Sequence, residues 1–212
     1  MEGRTKIHLS PMEMGMVNDA GWILTKHNII KKVYGLFSGL SEAMKVEVTA
    51  GQLFLPLPVT LNNARISKGE NYKILPYVML DYPSLFSKEN IFAVRTMFWW
   101  GNFFSITLHI SGAFKQLYVH DDPAILENLK KSGAYVCVND SQWQHHFETS
   151  NYIAASDITA TLFQKISEKD FIKIAYKIPL TEWDNAEAFL LKSFRELMIF
   201  LKTNFQGGGK DL

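Results

Sequence analysis

The sequence contains a single cysteine, Cys137, so no disulfide can form within the chain. A thiol-tolerant, reducing and therefore cytoplasmic setting is expected. Neither sign of charge dominates: 22 Lys and Arg stand against 21 Asp and Glu, a formal net charge of +1. That balance argues against a general electrostatic footprint for nucleic acid or an anionic membrane, although a local basic patch is not excluded by it. Residues 1–30 lack a basic stretch followed by an apolar run and a small-residue cleavage site, so no secretory signal is expected. The longest apolar stretch, Ile91 to Ile110, is interrupted by Arg95, Asn102, Ser105, Thr107 and His109. Those groups are costly in hydrocarbon, so a membrane span is not expected there.

Most catalytic motifs are also missing. There is no phosphate-binding glycine loop, and Gly207-Gly208-Gly209 leads into no helix. No Gly-x-Ser-x-Gly elbow is present. Cys137 sits in the apolar run Ala134-Tyr135-Val136-Cys137-Val138, which favours a buried, inert thiol over a nucleophile. A Cys–His pair would need a distant histidine brought close by the fold. Asp81 has no Glu-x-Lys partner on the next strand, which argues against a nuclease-type metal core.

What is present is a hydrophobic fraction of 47%, enough for one sizeable core, without internal repeats. Ser10-Pro11-Met12-Glu13 has the form of a helix start with a capping box. Ile23, His27, Ile30, Tyr34 and Phe37 then recur at helical spacing and predict a long first helix. Its early turns are weakened by Gly15 and Gly21, so a start nearer residue 17 is the alternative. Leu53–Leu61, broken by Pro56 and Pro58, suits a sheet edge or extended loop. Asn62–Asn71 is polar and expected to be a loop or hairpin turn, and Ile74–Tyr82 a strand. Asp122-Pro123 opens a short helix that Gly133 ends. Short elements follow at 134–139, 157–166 and 171–178. Thr181 is expected to cap a final helix reaching about Asn204.

The strongest local signal is Gly101-Asn102 between two β-prone runs, Ile91–Trp100 and Phe103–Ser111. A two-residue hairpin loop there pairs Trp100 with Phe103. That register places Arg95, Met97 and Trp99 on a core face beside Phe104, Ile106 and Leu108. The other face carries Phe98 and Trp100 beside Ser105, Thr107 and His109. Arg95 is then the lone charge in an apolar layer, where it must reach the sheet rim, pair with Asp81 or bind an anion. The mixed aromatic and polar face could line a ligand pocket, expected near the hairpin end and drawing on Arg95, Trp99, Trp100, Thr107 and His109. The alternative is an ordinary second packing layer.

Trp143-Gln144-His145-His146-Phe147-Glu148 is the densest polar cluster. His145, His146 and Glu148, joined by His120 and Asp121, could hold a divalent metal such as zinc, iron or manganese. The spacing matches no His-Glu-x-x-His signature. Asp121 and Asp122 are more readily explained as helix-capping residues. Arg65, Lys68 and Lys73, interleaved with Tyr72 and Tyr77, could track a phosphate backbone but also suit a solvated turn.

The expected fold is α+β: one domain over residues 1–206, with an antiparallel sheet, a central hairpin at about 91–111 and long N- and C-terminal helices packed on it. Residues 207–212 are expected to be a flexible C-terminal tail. The expected function is non-catalytic binding of a small molecule or protein. The alternative is a metal-dependent hydrolase using the His/Glu/Asp cluster. A third reading is a homo-oligomer whose exposed aromatics form the interface.

Overall fold

The computed structural model describes residues 7–206 and has the α+β architecture. The expected tail at 207–212 lies outside the described residues. Seven strands form one sheet: β1 (Arg65–Tyr72), β2 (Leu75–Phe86), β3 (Ile91–Trp99), β4 (Phe103–Ser111), β5 (Tyr135–Cys137), β6 (Tyr152–Ala154) and β7 (Phe171–Pro179). They lie in the order β1-β2-β3-β4-β7-β5-β6, and every neighbouring pair is antiparallel.

The helices are α1 (Pro11–Asn18), α2 (Ala20–Ala50), α3 (Leu57–Thr60), α4 (Gly112–Tyr118), α5 (Pro123–Ser132), α6 (Ala160–Ser167) and α7 (Ala186–Asn204). Val33, Phe37, Leu40, Met44 and Val48 give α2 an apolar stripe at three- and four-residue spacing, and Leu190, Phe194, Leu197 and Leu201 do the same for α7. Both stripes enter one core with Val78, Leu80, Phe98, Phe104, Ile106 and Ile174. At about 25 cal/mol per Å² of apolar surface removed from water, this layer is the main source of stability. Among the described residues, no helix is long and apolar enough to cross a membrane.

The capping box at Ser10 and Glu13 forms, with Ser10 Oγ accepting from Glu13 N–H. The long helix starts at Ala20, nearer the later of the two expected starts, and the capping box opens a separate short helix; the Asp19 carboxylate caps α2 by accepting from Trp22 N–H at 3.1 Å. The segment expected to be a loop at 62–71 is largely an edge strand. Its alternation is hard to see because only Ala64 and Ile66 among its residues pack against the core, and charged and polar neighbours surround them. The final helix starts later than Thr181. Leu180–Asn185 is 3₁₀, anchored by Trp183 packing on Phe98 and Phe104 at 5.9 and 5.3 Å.

The central hairpin forms, but its register differs by one residue. Trp99 pairs with Phe103, leaving Trp100-Gly101-Asn102 as the loop, with Gly101 at φ +69°. Burial selects this register. Phe92, Val94, Thr96 and Phe98 now share the helix side with Phe104, Ile106, Leu108 and Ile110. Arg95 faces the same way as Thr107 and His109. Because side chains alternate with a period of two, the slip of one moves the only charge in β3 out of the apolar layer.

Candidate functional site

The sheet face away from the helices is covered at one end by the segment joining β5 to β6. Tyr72, the last residue of β1, organises that segment. Its hydroxyl accepts from the backbone N–H groups of His145 and His146 at 2.6 and 3.1 Å. Its one proton has two acceptors within reach, His146 Nδ1 at 3.0 Å and Gln144 Oε1 at 3.3 Å. Donation to Nδ1 leaves His146 Nε2–H directed at Glu148, 3.6 Å away. Glu148 in turn accepts from Lys73 at 2.8 Å, and Asn151 Nδ2 donates to His146 O at 2.5 Å. At the far end Lys169 holds Val138 O, Asn139 O and the Asp140 carboxylate.

Beneath this cover lies a buried polar layer. His109 Nε2–H donates to Gln142 Oε1 at 2.8 Å. Burial, reinforced by nearby Lys173, pushes the His109 pKa down to about 4, so the ring is neutral near pH 7. Lys173, paired across the ladder with His109, is 1% exposed and donates to Gln144 O. Its ammonium stands 5.2 Å from the centre of the Tyr152 ring. Burial lowers the Lys173 pKa to about 8. Cys137 is buried, and desolvation raises its thiol pKa, which fits an inert side chain.

Beyond the cover the same face is open, over a groove of about 520 Å³. Its floor is a rung of the sheet on which Arg65, Asp81 and Arg95 are successive cross-strand partners. Arg95 Nε and Nη2 donate to the two oxygens of Asp81 at 2.7 and 2.9 Å. Arg95 Nη1 lies 3.4 Å from His145 Nε2. Arginine cannot accept, so His145 Nε2 is the acceptor and its proton sits on Nδ1. Burial first, then the charges of Lys173 and Arg95, hold the His145 pKa well below the ordinary histidine value.

A guanidinium carries about five N–H bonds, and side-chain partners account for three of those on Arg95. Arg65 is exposed and takes part in none of the ion pairs among the described residues. The rung therefore holds two guanidinium groups and one carboxylate. Tyr72, Tyr77, Phe86 and Trp143 supply the walls. Phe86 lies under the Arg95 guanidinium at 5.5 Å. Tyr77 crosses Gly69, where an added Cβ would come within 2.4 Å of the ring.

The expected pocket residues separate accordingly. Arg95 lines the groove. Thr107 and His109 share its face but are buried beside it. Trp99 is 5% exposed and packs under Tyr72 at 5.1 Å. Trp100 lies on the helix side, 5.3 Å from Phe98, because the three-residue turn ends the strand before it. The expected metal set also disperses. His145 faces Arg95, His146 and Glu148 face Tyr72 and Lys73, and His120 with Asp121 lines a separate cleft between α5 and α6. Among the described residues no three His, Cys, Asp or Glu side chains converge as a metal site would require. Arg65, Tyr72 and Tyr77, read in the sequence as a basic stretch able to track a phosphate backbone or as a solvated turn, line the groove together with Trp143, and only long-range pairing joins them to Arg95.

Comparison with known proteins finds no matching family model, no matching curated protein and no matching solved structure.

Proposed function

We propose that this chain is a non-catalytic binding domain whose open groove takes a small organic anion with a flat, apolar body. One observation carries the reading: Arg65 and Arg95 flank the single carboxylate of Asp81 on the groove floor, under aromatic walls. Arg95 is already oriented by Asp81, so little side-chain entropy is lost when its free N–H bonds meet a carboxylate or phosphate. Neutral His145 adds no charge to be neutralised. The groove volume falls within the range of small-molecule sites, about 300–1,000 Å³. The buried thiol of Cys137 supports a reducing, cytoplasmic setting.

The test is calorimetric titration with cinnamate, benzoate, acetate and inorganic phosphate. Cinnamate should bind about tenfold or more tightly than acetate, because stacking on the aromatic walls adds to the guanidinium contact. Arg65→Met, at an exposed position, should weaken cinnamate binding while leaving the melting temperature unchanged. Absence of binding by all four probes, or equal binding to wild type and Arg65→Met, overturns the proposal.

A further inference from the structure

The apolar stripe of α2 does not stop where the sheet stops. Val33, Phe37, Leu40, Met44 and Val48 are buried by the core. Followed towards the N-terminus at the same three- and four-residue spacing, this face carries Ile29, then the charged Lys26, then Trp22, with Asp19 as the cap one turn earlier. Ile29 is partly buried, whereas Trp22 and Ile23 are 41% and 42% exposed. Preceding α1 has no buried residue, and its Met12 and Val17 are 72% and 62% exposed. The first turns of α2 therefore present Trp22, Ile23 and Leu24 to solvent, beyond the point where Lys26 reaches Glu70 of the edge strand β1. A contiguous exposed apolar surface of this kind is uncommon on a monomer.

The pattern of charge on that stripe names its occupant. Asp19, the cap of α2, and Lys26, in its second turn, stand seven residues apart in sequence, on either side of Trp22 and Ile23. When two copies of α2 cross antiparallel about a two-fold axis between residues 22 and 23, Trp22 of one copy meets Ile23 of the other. The same operation sets Asp19 of each copy beside Lys26 of its partner, twice. Such self-complementarity is what an isologous contact requires. Asp19 uses one oxygen to cap Trp22 N–H, which leaves the other available. Lys26 reaches Glu70 at 3.2 Å on the surface, a contact weak enough to be shared. We infer that the N-terminal half of α2 is a homodimerisation arm, pairing antiparallel with the same segment of a second copy through Trp22 and Ile23.

Sedimentation velocity on the full chain, from about 1 to 100 µM, tests this directly. Wild type should sediment as a dimer at the upper end. Trp22→Glu should be monomeric with an unchanged circular dichroism spectrum, because the side chain is not part of the core. Lys26→Glu should raise the dimer dissociation constant about tenfold, through two repulsive contacts with Asp19. Adding Asp19→Asn to Lys26→Glu should recover most of that loss, since Asn caps a helix about as well as Asp while removing the repulsion. A monomer throughout the range overturns the inference. So does a dimer indifferent to Trp22→Glu, which would place the contact elsewhere, or a double variant no tighter than Lys26→Glu, which would exclude the antiparallel register.

Discussion

Arg95 meets Asp81 edge-on across the β2–β3 ladder, with both carboxylate oxygens engaged by one guanidinium. The two side chains are only 19% and 10% exposed. Asp81→Ala should therefore destabilise the fold by about 3 kcal/mol, much of it the cost of leaving a half-buried cation without its partner. Replacing both residues by Leu and Met should cost less than the sum of the single changes. Urea denaturation of the four proteins in that cycle measures the difference. Additive losses would show that the pair does not act as a unit.

Three histidines whose pKa values are lowered by burial, His109, His145 and His146, make the fold acid-sensitive. His109 titrates near pH 4 in the folded chain against an ordinary value of 6.5, and His145 is also held well below that value. Between those limits the unfolded chain binds more protons than the folded one, so stability falls as pH is lowered from about 6.5 to 4. Each such histidine contributes up to ~1.4 kcal/mol per pH unit within its window. Denaturation midpoints at successive pH values should show this slope. His109→Gln should flatten it.

Lys173 is a buried ammonium whose described contacts are a carbonyl oxygen and an aromatic face rather than a carboxylate. Its pKa of about 8 lies below the ordinary 10.5, so the unfolded chain again holds the extra proton above pH 8. Stability should rise between pH 8 and 9, before the raised thiol pKa of Cys137 begins to act in the opposite sense. Lys173→Met keeps an unbranched side chain one atom shorter and without the charge, and should abolish this rise, as followed by thermal melts at the two pH values.

Two glycines should respond differently to Ala. Gly112 has φ +57°, and a Cβ there would stand 2.3 Å from Asn90 Oδ1 and 2.5 Å from the backbone oxygen of Glu89. Gly112→Ala should cost roughly 2–3 kcal/mol, since backbone strain and a backbone clash coincide. At Gly69 the obstacle is the far end of Tyr77, a side chain that can swing away. Gly69→Ala should leave the melting temperature almost unchanged yet weaken cinnamate binding severalfold by displacing a groove wall. Equal melting temperatures for the two variants would contradict both arguments.

Several features of this protein were written in local sequence. The Ser10 capping box, the Asp122–Gly133 helix, the hairpin at Gly101 and the antiparallel α+β class each follow from neighbours a few residues apart, where backbone sterics and hydrogen-bond geometry act directly. Tertiary structure alone decided the length of the hairpin loop, and with it the side of the sheet on which Arg95 emerges. Local turn chemistry allows either register, and only burial of Phe92, Val94 and Phe98 against α2 and α7 separates them. The groove is a product of the same choice. Arg65, Asp81, Arg95 and His145 span 80 residues of chain, and no local pattern links them until the strands pair and Tyr72 draws the covering segment down.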